Sequence, residues 1–170
     1  MLMKTISKQK GVGLIEVLVS LLILAVGILG FVALQYRAVE ATSEAINRVQ
    51  AINIARDMAE RIRANRDGLE TYKTQIQADD VNQTNFTTDC IASACNATAM
   101  ADFDVSQVVT KASSLGMTMN MRTCSGNSDG RNCIYVAWGD TRATDGTGAG
   151  HCTNGTAYQA SSTCVIMETY

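Results

Sequence analysis

From residue 12 to residue 34 the chain is almost wholly apolar and carries one charge, the carboxylate of Glu16. Twenty-three residues at about 1.5 Å each cover roughly 35 Å of helix, enough to cross the hydrocarbon of a bilayer. From about residue 35 the pattern becomes amphipathic. Ala38, Ala41, Ala45, Val49, Ile52, Ala55, Ala59 and Ile62 recur at spacings of three and four, which predicts one buried stripe on a helix that runs on to about Arg66. Such a rod, from Val12, would be roughly 80 Å long. Glu44 with Arg48 and Asp57 with Arg61 stand four residues apart and add a few tenths of a kcal/mol each. Arg61, Arg63 and Arg66 fall where a helix C-terminus welcomes cations, and Gly68 follows as a stop.

Beyond the stop the pattern weakens. Residues 69–99 are rich in Asn, Gln, Thr and Asp without a sustained period and read as an irregular connection. Helical spacing returns through Val105, Val108, Val109 and Ala112, predicting a second helix that starts near Asp102 or Asp104 and ends near Ser114. Alternation then takes over around Met117 and Asn120, over residues 133–138 and over residues 164–170, giving three strands separated by turns rich in Gly, Asn, Ser and Asp. A long helix followed by a small antiparallel sheet is an α+β arrangement, in which the sheet covers the stripe on the outer half of the rod.

Charge orients the molecule. Lys4, Lys8 and Lys10 precede the apolar run, and this lysine excess keeps the N-terminus cytoplasmic and the remainder outside. Of the 14 Lys and Arg and 16 Asp and Glu, those three lysines are in the leader, so 11 basic and 16 acidic side chains remain, a net −5. That balance gives no general attraction to nucleic acid. All six cysteines, Cys90, Cys95, Cys124, Cys133, Cys152 and Cys164, follow the apolar run, an even count that argues for disulfides in an oxidising compartment. Six cysteines allow fifteen pairings. Pairing between sequence neighbours is expected, because each pair flanks a turn-rich segment that a bridge would close. A metal site is disfavoured: there is no C-x-x-C pair and a single histidine, His151. His151 stands in a Gly- and Thr-rich loop with no positioned carboxylate or nucleophile in view, and reads as a surface residue in a chain that is not an enzyme and needs no cofactor. Gly146, Gly148 and Gly150 neither follow a strand nor open a helix, so they make a poor phosphate loop. Trp138 reads as core.

Glu16 is the exception in the apolar run, and a carboxylate there costs up to about 2.5–3.5 kcal/mol near mid-bilayer and less toward the interface. It therefore calls for a cationic partner or a snorkelling path to the headgroups. No small-residue cleavage site follows Leu34. Instead Gly11 joins the basic leader to the apolar run, and the carboxylate follows five residues later. Residues 11–16, Gly-Val-Gly-Leu-Ile-Glu, resemble the signature of type IV pilins and pseudopilins. The resemblance implies that a membrane prepilin peptidase cuts between Gly11 and Val12, that the new amine of Val12 is methylated, and that Glu16 meets the N-terminal amine of a neighbouring subunit during assembly. Residues 55–66, ARDMAERIRANR, resemble the helix end of minor pilins of the PilV type. One departure is Ala33, where many major pilins carry a kinking proline; this chain has no proline, and Gly27 and Gly30 are the weak points of the span. The organisation so implied is a leader at 1–11, a transmembrane segment at 12–34, an amphipathic continuation at 35–66 and a disulfide-braced head at 67–170. The implied role is that of a minor pilin that helps to initiate a type IV pilus and supports motility or adhesion. Its partners would be other minor and major pilins, the peptidase, inner-membrane lipid and the assembly machinery, first in the inner membrane and then in the pilus. A type II secretion pseudopilin or a tip adhesin is the alternative.

Overall fold

A computed structural model describes residues 11, 13–77 and 80–169, with residues 80 and 81 described by their backbone alone. The leader up to residue 10, the predicted cleavage partner Val12 and the last residue of the predicted C-terminal strand, Tyr170, lie outside the described residues. The chain divides into two compact units, residues 1–44 and 45–170.

Helix α1, Leu14–Ala64, begins in the first unit. The Gly13 carbonyl accepts the amides of Glu16 and Val17 at 2.9 and 3.4 Å and so opens the ladder. Polar side chains in this stretch are tied back to their own helix, Ser20 Oγ to the Val17 carbonyl at 2.9 Å and Thr42 Oγ1 to the Ala38 carbonyl at 2.8 Å. Such back-bonding lets a hydroxyl sit on an apolar helix without an unsatisfied donor.

The second unit is built on the far end of α1. Its core combines Ala51, Ile54, Ala55, Met58, Ala59 and Ile62 of α1 with Tyr72 and Ile76 of α2 (Leu69–Ile76) and Ala101, Val105, Val108 and Ala112 of α4 (Ala97–Ser114). A short helix, α3 (Asp80–Gln83), lies between α2 and α4 in sequence. Against them packs a three-stranded antiparallel sheet in the order β1 (Met117–Thr123), β2 (Asn132–Trp138), β5 (Cys164–Thr169). In β1 alternation holds: Met117, Met119 and Met121 turn inward. The central strand β2 is buried at all seven positions, on both faces, so the alternation expected over residues 133–138 does not hold there. Ile134, Val136 and Trp138 meet the helices, while Tyr135 and Ala137 join Cys124, Cys133, Ala143, Cys152 and Cys164 in a second cluster. A two-stranded parallel ribbon, β3 (Arg142–Asp145) with β4 (His151–Thr153), contributes Ala143 and Cys152 to that second cluster.

Several expectations need correction. The buried sector of α1 is the one containing residues 51, 54, 55, 58, 59 and 62; Ala38, Ala41 and Ala45 are exposed and Val49 is 58% exposed. Burial on α1 begins only at Ala51, so the earlier part of the expected stripe has nothing packed on it, and because each step of three turns the row back by about 60°, Val49 falls outside the covered sector. Residues 69–99 are not an irregular connection. Leu69, Tyr72 and Ile76 stand at i, i+3 and i+7 and fold as the two-turn helix α2. Helix α4 starts at Ala97, five residues before Asp102, because the Asn96 side chain accepts the Ala99 amide at 2.8 Å and caps it. Asp102 and Asp104 are therefore interior and buried. Gly68 follows the end of α1, but its requirement is space: its φ is −87°, and a Cβ there would lie 2.7 Å from Asn65 Nδ2, 2.8 Å from the Ala97 carbonyl and 2.9 Å from Ala101 Cβ. The β3–β4 ribbon was not expected from the sequence.

Candidate assembly surface and its support

In the first unit α1 is exposed along its whole apolar length, Leu14 at 81%, Phe31 at 61% and Leu34 at 72%. The helix is long and apolar enough to cross a membrane. Glu16 lies in its first turn and is exposed. A carboxylate there faces the positive end of the helix dipole, the one place on an apolar helix where its charge is favoured. Gly11 is exposed beside it. The arrangement is a lipid-compatible surface with one acid at its N-terminal rim, suited to a cation arriving at that rim.

The second unit carries its polar groups in a different way. Asp104 of α4 is 7% exposed and holds two partners, accepting from Arg61 Nη1 at 2.6 Å and from Tyr72 Oη at 2.5 Å. Arg61 Nε also donates to Asp57 Oδ1 at 2.9 Å, and Lys111 Nζ approaches the other Asp57 oxygen at 4.0 Å. The C-terminal turn of α1 is thereby fastened to α2 and α4 by one buried carboxylate, so Arg61 does more than complement a dipole on a solvated face. Burial pushes the Tyr72 phenol well above the ordinary tyrosine value, with the Asp104 carboxylate pushing the same way. Burial opposes the Arg61 charge, but hydrogen bonds to Asp57 and Asp104 outweigh it and hold the guanidinium above its usual value. Asp102, two residues earlier on α4, accepts from the Thr87 amide and hydroxyl at 2.9 and 3.1 Å and pins the loop before α4.

The six cysteines form three bonds, Cys90–Cys95, Cys124–Cys133 and Cys152–Cys164. The second joins the end of β1 to β2; the third ties β4 to the start of β5. Cys124, Cys133, Cys152 and Cys164 are all under 8% exposed, so the two bonds serve as apolar bulk on the outer face of the sheet as well as cross-links. Trp138 is 6% exposed in the main core.

His151 is not a free surface side chain. Its Nδ1 lies 2.8 Å from Thr144 Oγ1, and a Cβ on Gly146 would stand 2.5 Å from the ring. Gly146 is small because the imidazole packs on it. Asn96 is spent on capping α4. Among the described residues no group of three His, Cys, Asp or Glu side chains could hold a metal ion.

Residues 6–32 match the family model of the prokaryotic N-terminal methylation motif, and residues 33–106 match the model described as type IV pilin Tt1218. No curated protein and no solved structure matches the chain. The two family matches support a pilin-type structural subunit, and the pilin family is structural and not enzymatic. The methylation motif and the long apolar helix fit an inner-membrane-anchored pilin that later assembles into a pilus, which implies processing by prepilin peptidase and packing against other pilins.

Proposed function

We infer that the chain is a minor pilin of the PilV class, cut between Gly11 and Val12, methylated at Val12 and built into a type IV pilus, where it helps to start the fibre. The observation that carries this reading is the pairing of a fully exposed apolar helix with one carboxylate, Glu16, five residues after the glycine that ends a basic leader. A surface of this kind is stable in lipid and equally stable against a second helix like itself, so leaving the membrane for a fibre core costs little apolar solvation. Glu16 then sets the register, because an ion pair with a neighbour's terminal amine is satisfied at one axial offset only. The three cystines belong to the exported side and suit a head that works outside the cytoplasm. The minor-subunit role rests on the likeness of residues 55–66 to PilV-type helix ends.

The test is Glu16→Ala against Glu16→Gln in a strain making fibres. Loss of the chain from sheared fibres in both variants, with normal membrane levels, is expected; normal incorporation of Glu16→Ala overturns the role of the acid. A deletion strain that loses twitching while secreting normally supports the pilus over a secretion pseudopilus, and the reverse phenotype contradicts it.

A further inference from the structure

The two edges of the three-stranded sheet are finished differently. In an antiparallel ladder the backbone groups of successive residues point to opposite sides. The Ile166 N–H is aimed away from β2, since it donates to Tyr158 Oη at 3.1 Å. With an unbroken register to β2, the backbone of Glu168 points outward as well. On β1 the same parity turns Met119 and Met121 outward.

The β1 edge is covered at three of the four outward backbone groups of Met119 and Met121. Gln83 Nε2 donates to the Met119 carbonyl at 3.3 Å, Gln77 Nε2 donates to the Met121 carbonyl at 2.8 Å, and the Met121 N–H donates to Asn120 Oδ1 at 2.8 Å. Gln83 is 3% exposed and locked in place. The β5 edge has one cover, the hydroxyl of Tyr158, on a side chain 54% exposed. The Ile166 carbonyl and both backbone groups of Glu168 meet no partner among the described residues. An open row of this kind is a template for another strand, and chains that gain nothing from it close it. This chain covers one edge with the buried amide of Gln83 and the exposed amide of Gln77, and the other with the half-exposed ring of Tyr158.

The surroundings say what the row would take. Outward donors and acceptors repeating every two residues, about 6.8 Å, match an extended polypeptide backbone and no lipid or sugar. Beside the row runs a groove of about 400 Å³ whose walls include Tyr135, Tyr158, Ile166 and the Cys124–Cys133 bond. Glu168 lines both this groove and a second hollow, whose walls include Lys73, Asp129, Arg131 and Thr169. We propose that the β5 edge docks an extended segment of a neighbouring subunit, which adds to the sheet as a fourth strand and displaces Tyr158 from the Ile166 N–H. Its alternate side chains enter the groove, apolar beside Ile166 and charged where the segment passes Lys73, Asp129 and Arg131. The proposal rests on the fibre-subunit reading but concerns the head and not the apolar helix.

The experiment uses the full chain in fibre-making cells, with a benzophenone amino acid in place of Glu168 and light-induced cross-linking in sheared fibres. The expected product joins position 168 to an extended segment of another fibre subunit. Ile166→Pro removes an N–H the ladder does not use, and should leave the three cystines formed and lower the cross-link yield at least tenfold. Should that variant fail to fold, Glu168→Pro with the photoprobe at Tyr158 makes the same comparison. Fibres that contain the chain but yield no protein cross-link, or a yield that neither proline changes, overturn the docking edge alone. A chain absent from fibres overturns the fibre reading itself.

Discussion

Replacing Asp104 with alanine tests the buried network directly. Breaking a buried ion pair from one side costs about 3–5 kcal/mol when the surviving charge is fully enclosed. Here the survivor is Arg61, whose side chain is 34% exposed and keeps Asp57 at 2.9 Å, so the electrostatic part falls to about 1–2 kcal/mol. To this is added the Tyr72 hydroxyl, on a side chain of 0% exposure. Its remaining acceptor is the Arg61 carbonyl at 3.4 Å, a long bond that recovers part of the about 1–3 kcal/mol cost of an orphaned donor. The sum is about 2–4 kcal/mol, which lowers the melting midpoint of a head of this size by roughly 8–20 °C. Tyr72→Phe removes the donor and leaves Arg61 on Asp104, so it should cost about half as much. The assay is thermal unfolding by circular dichroism with the cystines intact, read from the loss of strand signal, because the apolar half of α1 keeps its helicity in detergent. A loss below about 1 kcal/mol for Asp104→Ala, or additive effects in the Asp104→Ala, Tyr72→Phe cycle, would refute the claim that one carboxylate fastens the end of α1 to α2 and α4.

Gly68→Ala places a methyl against the fixed Ala97 carbonyl and the Ala101 side chain and should destabilise the head by about 1–3 kcal/mol in the same melt, although the negative φ there is open to alanine. Removing the Cys152–Cys164 bond by a paired change to alanine opens a loop of sequence separation 12 and should cost about 2–3 kcal/mol. Limited proteolysis would then show cutting between residues 145 and 163 before any cutting in β1 or β2. Burial, with Asp145 nearby, pushes the Tyr135 phenol up to about 12. A pKa raised by folding gives stability that is whole below the unfolded value of about 10 and is lost as pH climbs through the folded value. The melting midpoint should therefore fall from pH 10 upward, and Tyr135→Phe should flatten part of that fall.

The long helix, the three sheet strands and the apolar segment were legible because each carries a run or a period of apolar residues that neighbours in sequence reveal. What escaped was short or depended on contact. Helix α2 has its Leu69, Tyr72, Ile76 signal in two turns, too few to stand out from a polar run. Asn96 was legible as an N-cap, since good helix formers follow it. Asp102 and Asp104 look like first-turn acids in sequence and are buried because α4 starts earlier and packs on α1. Arg61 could be placed in the last turn of α1, but nothing local says that its partner lies 43 residues on. The same holds for the Tyr158 hydroxyl on β5 and the two glutamines on β1, which are edge devices only once strand order is known. The Glu16 rim was plain from the sequence because one acid among 23 residues of apolar chain needs no tertiary context to be noticed.

The central claim is that the chain is trimmed ahead of its apolar helix and carried into a fibre by it. Intact-mass analysis of the protein recovered from sheared fibres tests this most directly. A chain that starts at N-methylated Val12 and carries three cystines is the predicted result; one that retains residues 1–11, or that is never found in fibres, contradicts it.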